Sequence, residues 1–354
     1  SNIPKLRFPE FKGEWEEKKL GECLTLLYGK DWKDKSSTKK LYPVLGTGGV
    51  ISYIDEFIYD KPCVLIGRKG SINNPVFIDK PFWTVDTQFY SEIHEGYSPK
   101  FLYYIFCTEN WSKHDESTGV PSLSAKNVEN THKHIPSYSE QQKIADFLSN
   151  VDSIITAETK ILNTLQKKKK ALMQKLFTRQ LRFKSDDGTD FPAWEEKKLG
   201  DVCSYIGGGT PSKKVKEYWN GNINWASVKD ITGKYLYETQ DKISQLGADS
   251  SATNICEPDS LLLITRMSPG KTVITKCITA INQDLKIVKS YINVEFLHLL
   301  FQSIQTKIDE KTSGTTVKGI SIEGLNQIDI RLPCKAEQQK IADCLSSMDS
   351  LIQT

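Results

Sequence analysis

The chain has 354 residues, with 47 Lys and Arg against 44 Asp and Glu, a formal net charge of +3 and 38% hydrophobic residues. This length suits about two domains, and the apolar content gives each a core and excludes a largely disordered chain. No run of about 18 apolar residues is present, so a helical membrane span is excluded; the opening Ser1-Asn2-Ile3-Pro4-Lys5 lacks the apolar stretch of a signal peptide, so a cytoplasmic location is expected.

The first anchor is Trp15-Glu16-Glu17-Lys18-Lys19-Leu20-Gly21-Glu22, shortly after Phe8-Pro9. It returns as Trp194-Glu195-Glu196-Lys197-Lys198-Leu199-Gly200-Asp201 after Phe191-Pro192, an offset of 179. From about residue 23, β-branched and aromatic runs are cut by turns. Tyr42-Pro43-Val44-Leu45 precedes Gly46-Thr47-Gly48-Gly49, Cys63-Val64-Leu65-Ile66 precedes Gly67-Arg68-Lys69-Gly70, and Trp83 to Tyr90 reads as a further strand. Residues 99–116 read as a helix with Phe101, Tyr104, Ile105 and Phe106 as apolar contacts.

Two loop regions of this first globule, 1–139, set cations beside glycine and small polar residues: Thr47, Gly48, Arg68, Lys69 and Ser71, then Thr118, Gly119, Ser122 and Lys126. Arginine reads guanine bidentately, while lysine and hydroxyls grip phosphate, so these loops suit nucleic acid. Any one of them alone is an ordinary surface charge.

Residues 140–184 begin with Glu140-Gln141-Gln142-Lys143-Ile144-Ala145-Asp146, which returns intact at 337–343, an offset of 197. Over 140–178 the spacing predicts one long helix, roughly 58 Å at 1.5 Å per residue. Ile144, Val151, Leu165 and Leu172 hold one heptad position, Leu148, Ile155, Leu162 and Leu176 the other; Glu158 and Lys169 interrupt them. That is a coiled-coil seam. It starts again as Ile341, Leu345, Met348 and Ile352 in 337–354, so the two helices can satisfy each other, with pairing between two copies as the alternative. An equal partner helix would end near residue 374, about twenty residues past Thr354. Residues 140–184 also hold 10 basic and 4 acidic side chains, including Lys167-Lys168-Lys169-Lys170, Lys175, Arg179, Arg182 and Lys184. These form either a solvated helix end or a strip facing phosphates.

The second globule, 185–336, follows the rhythm of the first while barely matching its sequence. It opens with Gly207-Gly208-Gly209-Thr210-Pro211-Ser212, has a buried-looking strand at Leu261-Leu262-Leu263-Ile264-Thr265 and a helix near 294–308. Its candidate nucleic-acid contacts are Lys213, Lys214, Lys229, Arg266, Ser313, Gly314, Thr315, Thr316 and Lys318; Arg266 stands as counterpart of the 68–69 pair, and Ser313-Gly314 echoes Thr118-Gly119.

Fragments that suggest an enzyme fall short. Gly270-Lys271-Thr272 lacks the early glycine of a phosphate loop and leads into a strand. Asn74-Pro75-Val76-Phe77 departs from the Asn-Pro-Pro-Phe of amino-methyltransferases at Val76. His132 and His134 have no third ligand nearby and read as exposed loop histidines, and the eight cysteines are scattered, as buried free thiols are. No catalytic residue and no metal ligand is assigned. The fold class is α+β: two mixed α/β globules on a duplicated, pseudo-twofold frame with long helices.

These residues resemble the specificity subunit of type I restriction-modification systems over essentially the whole chain. The resemblance lies in the Trp-Glu-x-x-x-Leu-Gly openings at 15–21 and 194–200 and the Glu-Gln-Gln-Lys-Ile-Ala helices at 140 and 337. It continues in Gly208-Gly209-Thr210-Pro211-Ser212 with Tyr218-Trp219-Asn220-Gly221, Ile223, Trp225 and Lys229-Asp230, and in Tyr42-Pro43-Val44 with Ile66-Gly67-Arg68-Lys69-Gly70-Ser71 and Phe82-Trp83-x-Val85-Asp86-Thr87. The short second helix departs from the pattern. The resemblance implies a non-catalytic protein whose two target-recognition domains, joined by an antiparallel coiled coil, each read half of a split double-stranded DNA sequence. It implies two modification (methyltransferase) subunits and restriction (motor-nuclease) subunits as partners, with S-adenosylmethionine, ATP and Mg on those partners and none on this chain. A self-contained DNA methyltransferase or nuclease with an unrecognised site is the alternative.

Overall fold

A computed structural model describes residues 3–314 and 317–353, and the chain divides into two compact units, Ser1–Glu158 and Thr159–Thr354. In the first unit the anchor forms the strand Glu16–Lys19, which pairs antiparallel with His132–Ile135 and so draws the two ends of the insert together. One helical turn, Leu20–Cys23, follows. The Glu22 carboxylate accepts from Lys19 N–H at 2.8 Å, which turns Leu20 and Cys23 into the core.

The insert builds a four-stranded antiparallel sheet in the order Leu24–Tyr28, Gln88–Ile93, Cys63–Gly67, Val76–Ile78. A second sheet runs Gly49–Ile54, Tyr42–Gly46, Trp83–Thr84. Cys63–Gly67 is buried along its whole length, as a continuous apolar run in a central strand must be. The helix Pro99–Thr108 covers that core; Ser98 Oγ accepts from Phe101 N–H at 3.3 Å, and proline occupies the first helical position.

Two elements differ from expectation. The run from Trp83 to Tyr90 is two strands in two sheets, because Gln88 N–H turns back to Val85 C=O at 3.0 Å and the chain changes sheet there. The helix expected over 99–116 ends at Thr108, and a separate 3-10 turn, Trp111–His114, sinks the Trp111 ring fully into the core.

The second unit has the same plan. Glu195–Lys198 pairs with Asp329–Leu332, and the main sheet runs Cys203–Ile206, Leu285–Ser290, Leu261–Ile264, Thr272–Thr275, Tyr235–Leu236. Its other sheet is Asp241–Ile243, Ile223–Ala226, Thr279–Ile281, Ile255–Cys256. Both units keep one parallel pairing in the second sheet, Tyr42–Gly46 with Trp83–Thr84 and Ile223–Ala226 with Thr279–Ile281. Two dissimilar inserts therefore share a common strand order, to which the second unit adds Tyr235–Leu236 at the edge of one sheet and Ile255–Cys256 at the edge of the other. The helix expected near 294–308 is two, Val294–Ser303 and Gln305–Glu310, broken at the buried Ile304.

The long helix is Tyr138–Phe177, 40 residues. Its first turns pack Ile144 and Ala145 into the core of the first unit. Its last turns give Leu172, Met173, Leu176 and Phe177 to the core of the second, with Ile341, Ala342 and Leu345 of the final helix Lys335–Gln353. Lys169 pairs with Asp349, and Arg182 with Glu337 at 2.7 Å, so later residues of one segment meet earlier residues of the other. The pair is antiparallel.

The continuous seam over five heptads is corrected. Leu176, Ile341 and Leu345 are buried and Ile144, Leu148, Leu165, Leu172, Met348 and Ile352 partly so, but Val151, Ile155 and Leu162 are exposed. By the register of the two ion pairs, the described residues of the final helix lie level with the long helix from Leu165 onward. The first heptads of the long helix instead meet the helix Pro99–Thr108, where Tyr104 bonds Ser149 and Asp152.

Histidines 132 and 134 lie on a paired strand, exposed, and not in a loop. All eight cysteines are free; Cys23, Cys63, Cys203 and Cys256 are buried, Cys277, Cys334 and Cys344 are partly so, and Cys107 is exposed, against the buried reading for it. Among the described residues no helix is long and apolar enough to cross a membrane, and no three His, Cys, Asp or Glu side chains group as metal ligands.

Candidate nucleic-acid interface

The frame that carries the loops is tied at one buried carboxylate in each unit. Glu140 accepts from Arg7 Nε and Nη2, both at 2.7 Å, and from Trp15 Nε1 at 3.3 Å. Glu337 accepts from Arg182 Nε at 3.1 Å and Nη2 at 2.7 Å, and from Trp194 Nε1 at 3.0 Å. The neighbouring glutamines also match: Gln141 bridges Ser98 N–H and Pro136 C=O, and Gln338 bridges Asn293 N–H and Pro333 C=O. The repeated Glu-Gln-Gln-Lys run is thus a set of internal hydrogen bonds that seats each globule on its helix.

In the first unit three of the predicted loops come together. Arg68 and Lys69 N–H donate to Thr87 C=O at 2.8 and 3.1 Å, Gly70 N–H to Pro121 C=O at 2.9 Å, and Leu123 N–H to Arg68 C=O at 2.9 Å. Lys69 and Ser122 form a bridge. Asp115 holds the 115–122 loop by accepting from Ser122 and Ser117 N–H, both at 2.9 Å, and these bonds keep its carboxyl below the usual carboxylate range. Thr47 Oγ1 lies 3.8 Å from where a side chain at Gly70 would begin, and Gly48 at the hairpin tip faces open space. Lys69, Gly48, Ser71, Thr118, Gly119 and Lys126 are exposed. Arg68 is half-buried: its guanidinium lies 5.4 Å from the Tyr28 ring centre and its Nη1 donates to Asp86 C=O at 3.0 Å.

The second unit repeats three of these backbone bonds and the bridge, and they fix which residues correspond. Thr265 N–H donates to Asp284 C=O at 2.9 Å, Met267 N–H to Lys318 C=O at 2.8 Å, Ile320 N–H to Thr265 C=O at 2.9 Å, and Arg266 bridges Gly319. Each matches a first-unit bond at an offset of 197, that of the helix repeat. Arg266, expected as counterpart of the 68–69 pair, is equivalent to Lys69, and Arg68 to Thr265, so the two arginines sit on adjacent positions of the turn. One expectation is corrected. Ser313 matches Glu116 and not Thr118, since Ser313 N–H and Glu116 N–H make the equivalent bonds to Gly319 and Ser122 C=O at 2.9 and 3.1 Å. Thr315 and Thr316 lie outside the described residues.

Arg266, Ser313, Gly314 and Lys318 are brought together and exposed. Arg266 Nη1 sits 3.4 Å from the Asp284 carboxylate. Thr210 Oγ1 donates to Gln283 Oε1 at 2.6 Å, which ties the glycine-rich loop to the residue beside Asp284. On that loop Lys213 lies 6.0 Å from the Trp219 ring centre, and Lys214 is exposed. The loop is no phosphate cradle, because a side chain at Gly208 would meet Asn282 C=O at 2.3 Å. Lys229 belongs to the Val228–Asp230 turn and is paired with Asp241 at 2.8 Å, so its charge is already matched.

Sequence reasoning missed Tyr28, Asp86, Asp284 and Met267. The offset of 197, shared by the tip bonds and the helix repeat, points to Met267 and Asp284 as counterparts of Gly70 and Thr87, while Tyr28 and Asp86 are found only through their contacts with Arg68.

Comparison with known proteins agrees with this architecture. The chain is 31% identical over 185 residues to the type I restriction enzyme MjaIX specificity subunit of Methanocaldococcus jannaschii, 50% of this chain and 43% of that protein. It is 29% identical over 232 residues to the EcoR124I/EcoR124II specificity subunit of Escherichia coli, 63% of this chain and 54% of that one. The matched regions thus span about half the length of these curated relatives. The fold is that of the type I restriction-modification S subunit from M. genitalium, with TM-score 0.70 at 15% identity over 99% of this chain and 93% of that one. The family described as the type I restriction modification DNA specificity domain matches twice, at residues 12–167 and 193–354, and the chain belongs to that family.

Proposed function

We propose that this chain is the DNA-reading subunit of a type I restriction-modification complex, with each unit taking one half of a split double-stranded target. The observation that carries this is the pair of tips. One backbone path is furnished with Arg68, Lys69 and Gly70 in one unit and with Thr265, Arg266 and Met267 in the other. Backbone geometry sets register on a duplex, while side chains read base edges, so one path with two sets of side chains suits two different half-sequences. The long helix is the spacer that sets the gap between the halves.

In this reading the chain contributes no catalytic group. Adenine methylation belongs to two modification subunits that carry S-adenosylmethionine, and cleavage to restriction subunits that use ATP and Mg, in the cytoplasm. Residues 1–139 hold 18 basic and 18 acidic side chains and residues 185–336 hold 18 and 19, so the chain alone gains little from counterion release and binds DNA weakly.

The test is to express the chain with its modification subunits and map methylated adenines across a genome. One split sequence with a fixed gap is expected, and the isolated chain given S-adenosylmethionine and the same DNA is expected to be inactive. Methyl transfer by the isolated chain would point instead to a self-contained methyltransferase.

A further inference from the structure

The turn after the central strand needs a left-handed residue. In the first unit that residue is Gly70, with φ +88°; at the equivalent position the second unit has Met267, with φ +71°. The equivalence rests on the matched bonds from Gly70 and Met267 N–H to Pro121 and Lys318 C=O, at 2.9 and 2.8 Å. A side chain at positive φ crowds its own backbone, so glycine is the natural occupant and methionine carries strain. The methionine does not earn its place by packing, since it is 62% exposed, whereas Pro269 and Gly270 just behind it are buried. It stands next to Arg266 and opposite Lys318, with Val317, itself 45% exposed, preceding that lysine. A strained, exposed apolar side chain between two cations at the tip is a contact waiting for a surface that is part apolar and part anionic. Major-groove DNA has both, in base edges such as the thymine methyl and in the flanking phosphates.

We propose that Met267 is a specificity-determining residue of the second tip, laying its flexible thioether chain against the apolar edge of a base beside the one met by Arg266. This deepens the DNA-reading function proposed above and rests on it.

The test uses the full chain with its modification subunits, carrying Met267→Gly, Met267→Leu or Arg266→Ala, and reads methylated adenines genome-wide together with the melting temperature of each complex. Met267→Gly is expected to melt at or above the wild-type temperature, because the strain is relieved, yet to lose roughly fivefold or more of its selectivity at one base position of one half-site. Met267→Leu is expected to keep that selectivity, and the other half-site to be unchanged in both. Unaltered selectivity in Met267→Gly while Arg266→Ala relaxes the half-site would overturn the proposal and leave the reading function standing. No change in either variant would remove both. A Met267→Gly complex that melts lower and loosens both half-sites would make Met267 a structural residue and also overturn it.

Discussion

The Arg182 guanidinium closes on Glu337 with Nη2 2.7 Å from Oε2 and Nε 3.1 Å from Oε1, and the Glu337 side chain has no exposure to solvent. Trp194 Nε1 donates to the same carboxylate at 3.0 Å. Charge this deeply buried is stable only when paired, and removing one partner leaves the other uncompensated. Glu337→Ala strands the indole N–H and leaves the guanidinium, 29% exposed, only the Phe191 and Pro192 carbonyls, and is expected to destabilise the second unit by about 1–3 kcal/mol in urea unfolding. Glu337→Gln keeps one acceptor and is expected to lose less. A change below about 1 kcal/mol for alanine would mean that the pair contributes no more than an exposed one.

The repeat itself was legible in the sequence, since Trp15 and Glu140 recur as Trp194 and Glu337, but their arginine partners were not. Arg7 and Arg182 lie in the short run Leu-Arg-Phe at 6–8 and 181–183, an offset of 175 that agrees with neither neighbouring repeat. Only the shared carboxylate geometry makes them equivalent. The common sheet order of the inserts was hidden for a different reason: strand order depends on pairings between distant residues, such as Leu65 with Tyr90 and Leu262 with Ile287, and periodicity sees only local alternation. The apolar heptads identified a seam correctly in kind. They could not show that Val151, Ile155 and Leu162 are exposed among the described residues, because periodicity records a face and not what covers it.

The two tips hold their arginines differently, and that difference has a consequence for binding. Arg266 is 3.4 Å from the Asp284 carboxylate, whereas the equivalent of Asp284 beside Arg68 is the neutral Thr87. The carboxylate competes with a base or phosphate for the Arg266 Nη1 donors. Asp284→Asn is therefore expected to tighten DNA binding by the complex about two- to fivefold at low salt, the scale of an exposed ion pair. Arg68→Ala has no such competitor to remove. It is expected to relax discrimination at one half-site by ~1–3 kcal/mol while leaving subunit assembly intact. Equilibrium binding to duplexes with single-base changes separates the two effects. Weaker binding by Asp284→Asn would show that the carboxylate positions Arg266 and does not restrain it.

Acid is expected to loosen the second unit through His298. The ring is buried, with Nδ1 2.8 Å from Thr272 Oγ1 and Nε2 2.8 Å from the Gln302 side-chain nitrogen. Gln302 donates to Nε2, which fits a neutral ring protonated at Nδ1; a second ring proton would oppose the amide N–H. Burial pushes the pKa from 6.5 down to about 4, with Lys234 and Lys169 acting in the same direction and Glu295 and Asp349 against it. Below 6.5 the unfolded chain takes up a proton that the folded one refuses until about pH 4. The stability is therefore fully present above pH 6.5 and is lost as pH falls toward 4, on the order of 3 kcal/mol in all. The comparison of wild type with His298→Asn is made on melting temperatures between pH 6.5 and about 5, where most carboxylates stay ionised. The fall over that window is expected to flatten in His298→Asn; an unchanged slope would assign it to other residues.

The spacer role is tested best just past Asp152, which accepts from Tyr104 Oη at 2.6 Å. Residues 151–160 are all exposed, so removing the seven residues 153–159 keeps that bond and deletes no core contact. Seven residues are close to two full turns, which leaves the faces on either side in nearly the same rotation, about 20° off. They also correspond to about 10.5 Å of helix, or about three base pairs at 3.4 Å each. The complex with this deletion is expected to methylate the same two half-sequences with a gap shorter by about three base pairs. Removing four residues instead turns the helix by about one turn and shortens it by about 6 Å, so it should favour a gap shorter by about two. Methylation mapping reads both outcomes directly. If the half-sequences persist with the original gap in both variants, the helix does not set the spacing, and the gap must be fixed by the modification subunits.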